Sequence, residues 1–334
     1  MSTRVLITGG AGMIGSAVTR RLISDGYDVQ VADNFWRGSR QNLFDCGRPI
    51  LDFSNSLHQV NLCDLQNCIA VTKNIDLVIH LADIVAGIGF VFSNQLFVLR
   101  NNIILNSNIL HAALQNNVGR FLYVGTACSY PEHLQKDING PPLVEDDAYP
   151  ASPESSYGWS KLLGEYECGL AGKTTDMQVA VLRLHNVYGP NCDLTPETSQ
   201  VIPALCRKVV EFPNKPVIVW GSGAQRRAFL YVDDVVNAIV STLAGRFNYG
   251  VIQIGPNKSY AISEIADKIC AISGKDIKVE YDLSRPEGDK DRKADFSKAR
   301  ELLNWHPQVE IDDGLKMTYE WVKTFLSKKN FNST

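Results

Sequence analysis

The chain has eight cysteines but no two of them are spaced C-x-x-C, so no dithiol or metal-ligand pattern stands out. At 334 residues it needs no disulfide staples, and reduced thiols in a cytoplasmic compartment are the expectation. It lacks any apolar run near the ~18 residues of a membrane span. It also lacks a signal-peptide pattern, since "MSTRVLITGG" goes straight into a strand. Neither repeats nor low-complexity segments occur. No charge of one sign dominates, because 33 basic residues face 36 acidic ones and the formal net charge is −3. That balance gives no attraction to a nucleic-acid backbone or an anionic membrane. What is left is a soluble globular chain, 45% hydrophobic and 21% charged, long enough for two lobes rather than one core.

Glycine is where the chemistry starts. "RVLITGGAGMIGSAVTRRLISDGYDVQVADN" (4–34) reads as a strand, a glycine turn, an amphipathic helix and a second strand. Val5, Leu6 and Ile7 make a buried apolar run, and Ile14, Val18 and Leu22 recur every four residues on one helix face. Gly10, Gly12 and Gly15 satisfy G-x-G-x-x-G, and Gly9, Gly12 and Gly15 satisfy G-x-x-G-x-x-G. Positions without side chains let the backbone turn tightly and approach a pyrophosphate, whose charge the helix start at Met13 and Ile14 meets. The pattern alone is weak, but between a strand and a helix it points to a dinucleotide site. Asp33 closes the second strand 18 residues after Gly15, with Asn34 beside it. A carboxylate there accepts hydrogen bonds from the adenosine ribose and repels a 2′-phosphate, so NAD is expected over NADP. Arg37 and Arg40 follow closely enough to reach such a phosphate.

Further strands read "DLVIHLAD" (76–83), "RFLYVGTA" (120–127) and "QVAVLRLHNVYGP" (178–190), separated by helical stretches such as "NNIILNSNILHAALQNN". Alternating strands and helices predict an α/β fold on a doubly wound parallel sheet. The strand ends carry Thr8, Asp83, Thr126 and Asn186, where ligands bind in such sheets. Asp64 in "NLCDL" is placed to meet the adenine end or to cap a helix. "SSYGWSKLLGEYE" sets Tyr157 and Lys161 on one helix face. The ammonium beside the phenol is expected to lower the tyrosine's pKa, so that Tyr157 takes a hydroxyl proton while hydride passes to NAD. Thr126 supplies a hydroxyl to the same substrate oxygen.

These motifs, with "TGGAGMIG", "HLAD", "GTACSYP", "YGWSK", "HNVYGP", "VWGSGAQRRAFLYVDD" and "RPEGDKDRKADFSKARELLNWHP", resemble the extended short-chain dehydrogenase/reductases that act on nucleotide sugars. The resemblance covers nearly the whole chain. It implies a Rossmann NAD-binding domain over 1–185 and a smaller mixed α/β nucleotide-sugar domain over 186–334, with some chain crossing back. It also implies a homodimer and a nucleotide-diphosphate sugar as substrate. Leu65, Leu81, Ala82, Asn102 and Lys161 fall to the cofactor by that resemblance, and Gly87, Asn186, Gln200, Val201, Arg227 and Arg292 to the substrate. Asp83 departs from the pattern, which more often has alanine there.

The loop at 125–131, "GTACSYP", carries no carboxylate. That argues against a 4,6-dehydratase, whose resembling loop holds an acid. "TACSYP" is instead similar to the loop of GDP-mannose 3,5-epimerases and GDP-fucose synthases, in which a cysteine moves protons beside a 4-ketone. Cys128 is the matching shuttle here, and a thiol titrating near pH ~8.5 suits the task. Those families place a lysine or histidine where this chain has Gln200, and an amide carries no exchangeable acid; His185 and His133 are the substitutes at hand. The alternatives are a 4-epimerase, a 4-dehydrogenase or 4-keto reductase, and an inactive NAD-sensing protein.

Overall fold

The computed structural model describes residues 2–138, 140–245 and 247–331. β1 (Arg4–Thr8), α1 (Met13–Ser24), β2 (Asp28–Asp33), β3 (Leu57–Gln59), α2 (Leu65–Val71) and β4 (Leu77–His80) open the chain. α3 (Ile88–Ser93), α4 (Gln95–Gln115), β5 (Arg120–Thr126), α5 (Ser156–Thr174) and β6 (Gln178–Leu184) follow. Then come β7 (Asn186–Tyr188), α6 (Val201–Glu211), β8 (Phe229–Tyr231), α7 (Val232–Gly245) and β9 (Val251–Ile254). α8 (Ile262–Ser273), α9 (Ser297–Leu303) and α10 (Ile311–Phe331) end it.

Seven of these strands form one sheet in the order β9-β6-β5-β4-β1-β2-β3, and every pairing in it is parallel. A parallel sheet covered on both faces requires strands that are apolar throughout, and Val5, Leu6 and Ile7 of β1 are all fully buried. On one face Val18 and Leu22 of α1 pack with Val235 and Ile239 of α7. On the other, Ile109 of α4 and Cys168 of α5 pack with Leu6, Val78 and Phe121. This is the Rossmann arrangement expected from the sequence.

A third core lies beyond the sheet, where Ile202 and Leu205 of α6 meet Ile265 and Ile269 of α8 and Leu315 and Tyr319 of α10. The stretch 178–190 is not one strand. β6 stays in the main sheet, His185 bonds through its amide to the Ile254 carbonyl at 3.0 Å, and β7 pairs with β8 instead. The chain thus changes sheets at His185. Among the described residues no helix is long and apolar enough to cross a membrane.

Candidate active site

β1, β4 and β5 all end along one edge of the sheet, and a cavity of about 880 Å³ opens there. It runs from the glycine turn past Thr126 and Tyr157 to Trp220 and Arg292. At Gly9 the backbone has φ +69°, and a Cβ would lie 2.8 Å from the Ala82 amide nitrogen; only glycine lets the turn pass under that segment. A Cβ at Gly15 would stand 2.2 Å from the Gly9 carbonyl oxygen, which fixes α1 close against the turn. Gly12 starts α1 without a capping side chain, so the first-turn amides at Met13 and Ile14 are left for an anion at the cavity wall.

Asp33 is pinned by the Ala11 amide at 3.0 Å and the Phe35 amide at 2.8 Å. Burial raises its pKa against those amides. A desolvated carboxylate held this way suits a ribose diol. Arg37 is engaged by Asp193 at 3.2 Å and by the Val85 carbonyl, and Arg40 turns to Gln59 at 3.2 Å. Both guanidinium groups are therefore occupied, and the residues present fit NAD. Asn34 lines the same region and holds the Trp36 amide at 3.0 Å.

Asp64, Leu65, Asn102 and Lys161, assigned to the cofactor by sequence, do not line the cavity. Asp64 caps α2, accepting from the Gln66 amide at 2.9 Å, and Leu62 and Cys63 line the cavity where the sequence points to Asp64 and Leu65. Asn102 is fully buried behind the wall. It accepts from the Ile84 amide at 2.7 Å, donates to the Ile84 carbonyl at 3.1 Å, and reaches Ser160 at 3.3 Å. Leu81 and Ala82 do line the cavity, their amides donating to Thr8 Oγ1 at 3.2 and 3.3 Å.

Thr126 ends β5 with its hydroxyl oxygen accepting from the Cys128 amide at 3.2 Å. Tyr157 and Lys161 are 9% and 2% exposed. Their relation differs from the sequence reading. The Tyr157 hydroxyl donates to Asp83 Oδ2 at 2.8 Å, and Lys161 Nζ lies 3.7 Å from that same oxygen. Burial first, then Asp83 and Cys128, push the phenol well above its usual range. The expected lowering by lysine is outweighed by burial, and the carboxylate beside both groups adds to the rise. Burial lowers Lys161, opposed by Asp83 and Glu165, and its ammonium sits 4.6 Å from the centre of the Tyr123 ring.

Cys128 Sγ is 3.1 Å from Arg292 Nη1. Arg292 also pairs with Asp289 and donates to Gln135, so it faces the thiol rather than open space. Arg227 lines the cavity and donates to the carbonyls of Arg226 and Asp289, both at 2.7 Å. Burial and then Arg292 lower its guanidinium to about 10. Gly87 bonds through its amide to the Thr198 carbonyl at 3.0 Å, and Asn186, Gln200 and Val201 line the cavity nearby. His133 is exposed and off the cavity wall. His185 lines the wall, bonded to Gln253 at 3.2 Å, and burial pushes its imidazole down to about 3.

Residues 5–255 match the family described as NAD dependent epimerase/dehydratase. Over 326 residues the chain is 33% identical to GDP-mannose 3,5-epimerase 1 of Oryza sativa subsp. indica, covering 98% of this chain and 83% of that protein. The chain belongs to the NAD-dependent epimerase/dehydratase family. It is 29% identical to GDP-L-fucose synthase of Escherichia coli (strain K12), over 95% of this chain and 96% of that one. The solved UDP-glucose 4-epimerase of Thermotoga maritima with UDP-glucose superposes with a TM-score of 0.85 at 26% identity, covering 97% of this chain and 100% of that one.

As a member of this family the protein is an NAD-dependent enzyme of epimerase type on nucleotide sugars. Two residues of its cavity escape the sequence reading. Glu154 lines the wall, and burial and then Asp289 raise its carboxyl to about 7 against Arg292 and Arg227. Arg207 of α6 also lines it, with Nε buried and unpartnered. The only signal for Glu154 is its place three residues before Tyr157; nothing in the spacing marks Arg207.

Proposed function

We propose that this protein oxidises C4 of a nucleotide-diphosphate sugar transiently and uses Cys128 to move a proton at a neighbouring carbon, as a GDP-mannose 3,5-epimerase-like enzyme. NAD, held by the glycine turn and Asp33, would supply reversible hydride acceptance at C4. Thr126 and Tyr157 hold the C4 oxygen, and Tyr157 handles its proton. The contact between Cys128 Sγ and Arg292 at 3.1 Å carries the reading. A guanidinium there fixes the sulfur at the wall and meets the negative charge that develops when the thiol gives up its proton. A carbon beside a ketone is acidic enough to exchange that proton with a positioned acid or base.

Gln200 offers no exchangeable acid, and His185 is neutral, so exchange at one carbon dominates. Gln200 also favours the second reading, simple inversion at C4, which needs no added acid. Arg227 and Arg207 supply donors for the diphosphate. All eight cysteines are free thiols, in keeping with a reducing cytoplasm. A homodimer fits the apolar stripe on α5, where Trp159, Leu163, Tyr166 and Leu170 are 40 to 59% exposed.

Incubating the enzyme with GDP-mannose and UDP-glucose in D2O, followed by NMR of the sugar, tests this. Deuterium at C3 or C5 is the expected result, and Cys128→Ala should reduce that exchange ~10²–10⁴-fold while sparing oxidation at C4. Inversion at C4 with no deuterium incorporated would install the second reading.

A further inference from the structure

Among the described residues, Asp83 is the one carboxylate in hydrogen-bond contact with the reacting pair. Its Oδ2 receives the Tyr157 hydroxyl at 2.8 Å and lies 3.7 Å from Lys161 Nζ, with the side chain 14% exposed. Its backbone is fixed from both sides. Thr8 receives the Leu81 and Ala82 amides, and Asn102 clamps Ile84. The ionisable groups around it are Tyr157, Lys161 and Glu165 from α5, Tyr123 from β5, Cys128 from the loop after it, and His80 from β4. His80 is uncharged, pushed to about 3 by burial and then Lys161. Arg37, at the Val85 carbonyl, is tied to Asp193.

A tyrosine can take a proton from a substrate hydroxyl only if it has lost its own or passes its own along. Here its proton already points at a carboxylate, which leaves the oxygen's lone pairs for a substrate. We propose that Asp83 is the terminal proton acceptor of the C4 oxidation, with Tyr157 as a neutral relay and Lys161 holding the carboxylate in place. This rests on the C4-oxidation reading above.

The step balances. The substrate O–H bond breaks as a new Tyr157 O–H bond forms, and the old Tyr157 O–H bond breaks as an Asp83 O–H bond forms. The electron pair freed on the substrate oxygen becomes the C4=O bond, and the C4–H pair leaves as hydride. Asp83 loses its negative charge, and a bound nicotinamide, which would accept the hydride, would lose its positive one, so the net charge of the site is unchanged. The proton stays inside the cavity, available for the return step that an epimerase requires.

The test labels tyrosine with ¹³C at Cζ in the NAD-loaded protein and follows its NMR titration, with Tyr157→Phe identifying the signal. Tyr157 is expected to stay neutral up to about pH 10 in the native protein and to ionise at lower pH in Asp83→Asn and Asp83→Ala. Turnover at pH ~7 should fall at least tenfold in both variants, then recover with rising pH as the phenolate itself takes over. Asp83→Glu should restore part of the neutral rate. A merely structural role would lower the rate equally at every pH. Equal Tyr157 titration in native and variant protein, or full neutral activity of Asp83→Ala, would overturn the relay. The titration needs no sugar, so it judges Asp83 whatever the deuterium experiment says of Cys128.

Discussion

Glu154 illustrates how a single side chain sets a pH response. Its carboxyl is raised to about 7 by burial and by Asp289, in a wall that also holds Arg227 and Arg292. Below that pH it is neutral and leaves both guanidinium groups to an anionic substrate. Above it, the carboxylate repels a diphosphate and competes for the same arginines. KM for the nucleotide sugar is therefore expected to rise several-fold between about pH 6 and pH 8, and Glu154→Gln should flatten that rise. Parallel KM profiles for the two proteins would remove Glu154 from this role. Neither Glu154 nor the Asp83 contact was legible in the sequence beyond position, because which carboxylates converge depends on loops that fold back from distant strands. The Tyr157–Lys161 spacing was legible. The sign of the phenol's shift was not, since it is set first by burial and then by a third residue 74 positions upstream.

Between elements, α5 is tied to β6 by a buried fork. Arg183 donates to both oxygens of Glu165, at 3.1 and 2.6 Å, with its guanidinium 4.7 Å from the Tyr130 ring centre. The two side chains are 2% and 3% exposed. Removing one charge from such a pair strands the other without compensation, so Glu165→Gln is expected to lose about 3–5 kcal/mol in urea unfolding. A loss under about 1 kcal/mol would mean the fork is solvated. At this scale the opening strand, turn and helix are readable because the glycine spacing and the apolar period agree. The break at His185 is not readable, because "QVAVLRLHNVYGP" keeps strand-like composition across the point where its partner changes from β9 to β8. β9 itself is four residues long, and its neighbour lies about 70 positions away in sequence, beyond any local pattern.

For the whole molecule, the exposed stripe on α5 recurs at spacings of four, three and four residues, with Leu96 and Ile103 of α4 exposed at 75% and 37%. α4 packs beside α5, so two adjacent helices carry exposed apolar faces that suit the homodimer proposed above. Leu163→Glu should convert the proposed dimer to a monomer in light scattering at micromolar concentration, because a buried unpaired carboxylate is costly. A native protein that is already monomeric there would refute the assembly.

The return of β9 has a consequence for the chain as a covalent object. The tip at Thr195–Glu197 is exposed, and a cut there would leave six strands of the main sheet on one piece and the seventh on the other. Neither piece owns a finished sheet, and each buries the other's apolar surface. The main sheet is thus closed by a strand from late in the chain, and a severed backbone would still be held as one body until the sheet itself came apart.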